Sequence, residues 1–147
     1  MEGANAAPVV DRDRPAAHLR DSRGCGGVDF GGSGTCHITA DNPHESKNTP
    51  GDIVGKARIS CTVAADEVEL TVRLELRSGT DWVPIGTGVS RIVHPVVVNE
   101  KYTAQDSTAC APGMFRTAAR GSGTLNGRQA ASVMWTYSQT MTDPCTK

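Results

Sequence analysis

Aromatic side chains are scarce in this chain, with two Trp, two Tyr and two Phe among 147 residues. So thin a supply argues against stacking platforms for nucleic-acid bases. An excess of charge of one sign is also missing. The 15 basic and 16 acidic residues give a formal net charge of −1, so no global basic field gathers nucleic acid or an anionic membrane surface. Hydrophobic residues make up only 37% of the chain, too lean for a helical bundle. No apolar run approaches the ~18 residues that a membrane-spanning helix needs. Neither nucleic acid nor membrane is expected as a partner.

Motifs that carry chemistry are missing too. The sequence has no G-x-S-x-G, no phosphate-binding Walker loop and no H-E-x-x-H. No dinucleotide fingerprint sits at a strand–helix junction. The glycine clusters at 24–27 and 31–34 precede no helical pattern. The four histidines, His18, His37, His44 and His94, stand far apart. Cys36-His37 and His44-Glu45 read as solvated loop residues rather than metal ligands, and no two cysteines form a C-x-x-C pair. No catalytic residue, metal or cofactor is therefore expected, and the protein reads as a non-enzyme.

What is present is glycine, proline and cysteine, with counts of 16, 8 and 5. Spread-out cysteines in a small turn-rich chain fit disulfides made in an oxidising compartment. The opening Met1-Glu2-Gly3-Ala4 has neither a basic nor an apolar signal region, so either a signal segment has been removed or the protein is cytosolic with free thiols, and export is the favoured reading. An odd count leaves one thiol over. Among the 15 basic residues 11 are Arg, which reads as the codon usage of a GC-rich genome and carries no functional weight.

A division is expected near residue 50. Residues 1–50 hold few apolar side chains: Val9, Val10, Leu19, Val28, Phe30 and Ile38 are nearly all of them. So much glycine cannot order itself by burial. The segment reads either as a disordered tail or as an extended strap that orders on a partner, those six residues filling successive pockets in the manner of strand addition. Cys25 with Cys36 could close a small loop within it. On this reading the strap can be deleted without unfolding the rest.

From residue 53 the pattern is that of strands. Val68, Leu70, Val72, Leu74 and Leu76 alternate with polar neighbours from Glu67 to Glu75, the period-two signature of a strand with one face buried. Leu74 falls on the dry face and Arg73 on the wet one, so Arg73→Asp is expected to be tolerated. Ile59, Cys61 and Val63 share a face of an earlier strand. Further strands are expected at 89–98, 101–105, 114–120 and 129–138, the last with Val133, Trp135 and Tyr137 on one face and the first with His94 as a satisfied strand residue. Turns are expected at Ser78-Gly79-Thr80-Asp81, at Gly121-Ser122-Gly123 and at Asn126-Gly127, a favoured hairpin dipeptide. The expected fold is all-β: an immunoglobulin-like antiparallel β-sandwich over 51–147, preceded by the extended Gly-rich segment. Cys61–Cys110 is the preferred bridge, with Trp82 as filler between, and Cys145 competes for either partner.

Binding is expected in two places, the strap and the loop from Asn99 to Thr117. A bridge-anchored loop showing Met114, Phe115 and Arg116 carries typical interface anchors at low ordering cost, unless Met114 and Phe115 simply start the next strand. The order of Cys61, the strand from Val68 to Arg77, Ser78-Gly-Thr-Asp-Trp82 and Cys110-x-x-Gly113-x-x-Arg116-Thr117 resembles small secreted β-sandwich proteins of actinomycetes. The glycine-rich segment ahead of a sandwich resembles the adapter subunit of umbrella toxin particles. That resemblance implies a secreted, non-enzymatic adapter whose partners are larger subunits, a repeat-built stalk and a trypsin-like lectin-bearing protein. The alternative is a secreted protease inhibitor presenting the Cys110–Arg116 loop, and a lectin-like sandwich ranks third.

Overall fold

The structure is a computed structural model and describes residues 24–132 and 134–145. Its strands are β1 (Gly24–Asp29), β2 (Thr35–Ala40), β3 (His44–Glu45), β4 (Asp52–Cys61), β5 (Glu67–Ser78), β6 (Asp81–Pro84), β7 (Val89–Val93), β8 (Tyr102–Ala109), β9 (Met114–Leu125), β10 (Arg128–Ala131), β11 (Thr136–Tyr137) and β12 (Met141–Thr142). A 3-10 turn at Gly31–Ser33 joins β1 to β2. No helix of the described residues is long and apolar enough to cross a membrane.

Two antiparallel sheets face each other, the β-sandwich that period-two patterning requires, immunoglobulin-like in architecture. In the first, β4 is central. It pairs β2 along its C-terminal half, β3 near its N-terminus and β8 along its other side, while β1 adds to β2. In the second, β5 and β9 pair from Glu67↔Thr124 to Leu76↔Phe115. Short strands complete its flanks: β10, β11 and β12 along β9, and β6 and β7 along β5. Strict alternation on β5 buries Val68, Leu70, Val72 and Leu74, the first three against Ile38, Ala57 and Ile59 of the first sheet and their neighbours. At the other end Leu74 joins Ile53 and Phe115 in a second cluster. The Leu74 amide falls in the gap between β6 and β7. The buried Asp106 carboxylate of β8 accepts its hydrogen bond at 2.9 Å, tying one sheet to the other.

The division expected near residue 50 is absent. Over residues 24–50 the glycine-rich segment is part of the sandwich, because β4 has an open edge that β2 and β3 fill and β2 an edge that β1 fills. Val28 and Ile38 are core residues, 1% and 0% exposed, rather than anchors held out for a partner. Val9, Val10 and Leu19 lie outside the described residues, as does Val133.

Gly121-Ser122-Gly123 is not a turn but the middle of β9. A methyl group built on Gly121 would come 2.8 Å from the Ile38 side chain, and one on Gly123 would come 2.9 Å from the Phe30 ring. Glycine here makes room for the facing sheet. Asn126-Gly127 does turn the chain, with φ of 52° and 79° between the paired Leu125 and Arg128, the two positive angles of a type I′ hairpin. Gly79, at φ 64° between the paired Ser78 and Asp81, opens a second tight hairpin. The strand expected at 89–98 ends at Val93, leaving His94 exposed in the following loop with a cis bond to Pro95. The one expected over 129–138 is broken into β10 and β11.

The preferred Cys61–Cys110 bridge and the Cys25–Cys36 loop do not form, and Cys145 takes Cys110, one of the two partners open to it. Cys36 pairs with Cys61 and Cys110 with Cys145. Cys36 and Cys61 stand directly opposite in the β2–β4 register. The Cys110 amide donates to the Gly51 carbonyl, ten residues along β4 from Cys61. At ~3.3 Å per residue that is about 33 Å, far beyond the ~7 Å limit between bridged α-carbons. β12 pairs with the start of β9 and brings Cys145 back to Cys110. Cys25 is in neither bridge. The cross-strand neighbour of Cys36 is Val28, and Cys25, three residues away, has the opposite parity. Trp82 is no filler between cysteines, for it lies half-buried on the flanking strand β6.

Candidate functional site

The outward face of the second sheet concentrates the chain's scarce aromatics and a large share of its arginines. Every second residue of β5 and β9 points there: Arg73, Glu75 and Arg77 from β5, and Met114, Arg116, Ala118 and Arg120 from β9. The register sets Glu75 opposite Arg116, Arg73 opposite Ala118 and Thr71 opposite Arg120. Flanking strands lay rings across these positions. Trp82 stands opposite Arg77 on β6 and Tyr137 opposite Ala118 on β11, with Trp135 just ahead of β11.

The guanidinium groups stack on the rings. Arg116 lies 3.7 Å from the Tyr137 centroid and 4.3 Å from that of Trp82, so it is sandwiched between them. Trp135 is held between Arg73 at 4.0 Å and Arg120 at 4.5 Å. Arg77 sits 5.7 Å from Trp82. A cation over a ring face is attracted by the ring's quadrupole, and Arg adds flat stacking that Lys cannot.

Glu75 is the anion at the centre. Though it is on the outward parity, it is only 1% exposed. Its Oε2 accepts from Arg73 Nε at 2.7 Å and its Oε1 from Arg116 Nε at 2.7 Å. A buried carboxylate persists only when such charge-assisted bonds replace its lost hydration. With both oxygens engaged, two of the four arginines are fixed in position before any partner arrives.

This corrects the expectation that Arg73 is an indifferent surface residue. Arg73→Asp removes a partner of Glu75 and sets a second carboxylate beside it. Glu75→Ala in turn leaves Arg73 and Arg116 without their counter-ion. Because those side chains keep 31% and 19% of their exposure, the cost falls at the low end of the ~3–5 kcal/mol range for breaking a buried pair, about 3 kcal/mol. Urea unfolding checks it. An unchanged midpoint would mean that the rings alone hold the arginines.

The other expected site residues scatter. Phe115 is fully buried in the core, Met114 is 39% exposed, and Arg116 belongs to the stacked face. Those three do start the next strand. The Cys110–Gly113 loop is braced, with the Gly113 amide donating to Asp143 Oδ1 at 2.7 Å and the Asp143 amide to the Gly113 carbonyl at 2.7 Å. Phe30 is half-buried and lines a 220 Å³ hollow with Asp29, Ser33, Leu125 and Arg128. Further along the outward face Arg120 borders a shallow polar groove of 420 Å³ with Glu69, Thr71, Ser90 and Ser132. Glu45, Cys110 and Cys145 form the one group of potential metal ligands close enough to share an ion among the described residues. Both sulfurs are spent in the disulfide.

Sequence reasoning missed Arg73, Glu75, Arg77, Arg120, Trp82, Trp135 and Tyr137 as a group. The signal was the excess of Arg over Lys, combined with outward parity on two strands. The pairing register of β5 with β9 was needed to read it. No protein-family model, no curated protein and no solved structure matches this chain.

Proposed function

We propose that this protein is a secreted, non-enzymatic adapter that joins larger protein subunits, on the plan of the umbrella toxin particles whose adapter its sequence resembles. One observation carries the reading. The outward face of the second sheet spends three of the chain's four Trp and Tyr residues, together with four arginines that stack on them, two of which are also paired with Glu75. Trp, Tyr and Arg are the residues that dominate binding energy at protein interfaces, and pre-ordered side chains lower the entropy lost on association. Two disulfides fit an oxidising compartment and the secretion proposed here.

An adapter needs a second contact, which this reading assigns to residues 1–23 with Val9, Val10 and Leu19. The inhibitor alternative is less well supported. It required the Cys110–Arg116 loop to enter a protease cleft, whereas Phe115 is buried in the core and Arg116 is held against the sheet by Glu75 and two rings. Affinity capture from the producer's culture fluid, followed by mass spectrometry, tests the proposal. Two large partners at fixed stoichiometry are expected. Capture of a lone protease, or of nothing, would sink the adapter reading.

A further inference from the structure

The four arginines of the outward face follow a regular course. Cross-strand levels along β5 and β9 read Arg77 with Met114, Glu75 with Arg116, Arg73 with Ala118, and Thr71 with Arg120, by the register that pairs Leu76 with Phe115. Each level carries one cation, and the cations alternate between the two strands. Levels on one face are two residues apart, about 6.8 Å, so the zigzag extends over roughly 20 Å. Beyond Arg120 the sign changes, and the next two levels hold Glu69 with Ser122 and Glu67 with Thr124.

Glu75 does not exhaust these cations. Arg73 meets it through Nε and Nη2 and Arg116 through Nε, and their side chains keep 31% and 19% of their exposure. Arg77 gives Nε to the Gly79 carbonyl. Arg120 stacks on Trp135 but makes no hydrogen bond or ion pair among the described residues. Stacking holds the guanidinium planes still while leaving edges open, and a fixed guanidinium edge is matched to a carboxylate.

Resting on the adapter reading, we infer that this zigzag docks an extended acidic segment of the partner protein, with carboxylates at alternate residues. Alternate side chains of an extended chain recur at about 6.8 Å, the pitch of the cations beneath. Each successive carboxylate then meets the next arginine. The change of sign at Glu69 gives the docked segment a direction, favouring a basic residue after its acidic run and disfavouring a further acid.

The test uses the full chain and two labelled peptides of one composition: four Glu alternating with four Thr and then Lys, and the same residues with the four Glu contiguous. The alternating peptide is expected to bind at least about tenfold more tightly in fluorescence anisotropy, with affinity falling as salt is raised. Arg120→Glu is exposed and outside the Glu75 pairs, so it keeps the fold and should weaken binding by about tenfold or more. A circular-dichroism melt confirms that folding, and Arg77→Glu is the second variant should it not hold. Equal affinity for both peptides, no binding at low salt, or variants that bind as the parent does would overturn the inference. So would tighter binding of a sulfated oligosaccharide than of the alternating peptide. Failure of the adapter reading is separate: there the parent captures no pair of subunits. If only the docking inference fails, the parent and Arg120→Glu capture the same subunits equally.

Discussion

Deleting residues 1–50 should leave a chain that no longer folds, giving a circular-dichroism melt without a cooperative transition. The sequence suggests the opposite, a strap that can be cut away. The deletion removes β1, β2 and β3 and strips β4 of the whole edge that pairs Cys36 to Ala40. Burial of Val28 and Ile38 contributes about 1.5–3 kcal/mol each. Loss of the Cys36–Cys61 bridge costs a further ~2–5 kcal/mol. These terms alone reach about 5–11 kcal/mol, comparable with the ~5–15 kcal/mol stability of a whole domain. A truncated 51–147 fragment that melts cooperatively would show that the first sheet is dispensable.

Leu74→Asp is the second change expected to unfold the protein. Leu74 is 0% exposed between Ile53 and Phe115, so no water reaches an introduced carboxylate. The Leu74 amide is already bonded to the buried Asp106 carboxylate, which adds repulsion to the desolvation cost. An unpaired buried charge costs more than a domain of this size can absorb. Arg73→Asp, one residue earlier, should remain folded but lose about 2–4 kcal/mol, since it breaks the Glu75 pair. Glu67, exposed at the start of β5, is the neutral comparison, and Glu67→Gln should change stability by no more than about 0.5 kcal/mol. Urea titrations of the three variants read the order directly. A folded Leu74→Asp protein would contradict the inward parity of β5.

Much of the fold is determined by local pattern. The alternation from Glu67 to Leu76 sets both the strand and its buried face, because a strand's side chains can point only two ways. Asn126-Gly127 specifies its own hairpin, because few residue pairs accept two positive φ angles. Glycine misleads where its reason is not local: Gly121 and Gly123 yield space to Ile38 of the opposite sheet and to Phe30 just after β1, which no neighbouring residue reveals. The N-terminal half of the first sheet was hidden for the same reason. Val28, Cys36, Ile38 and Ala40 are too sparse to order themselves, and become core only because β4 offers an unpaired edge and β5 and β9 a facing layer. Bridge pairing likewise follows from register, which sets Cys36 against Cys61 and puts Cys110 at the far end of β4. Local pattern alone thus specifies an all-β chain, the inward residues of β5 and the tightest turns. Only the tertiary contacts reveal that residues 24–50 belong to the sandwich, which cysteines meet, and that Arg73, Arg77, Arg116 and Arg120 stack with Trp82, Trp135 and Tyr137 on one face. Parity places a side chain above or below its own strand, but which residues stand side by side depends on strand register, and that is set by contacts between residues far apart in sequence.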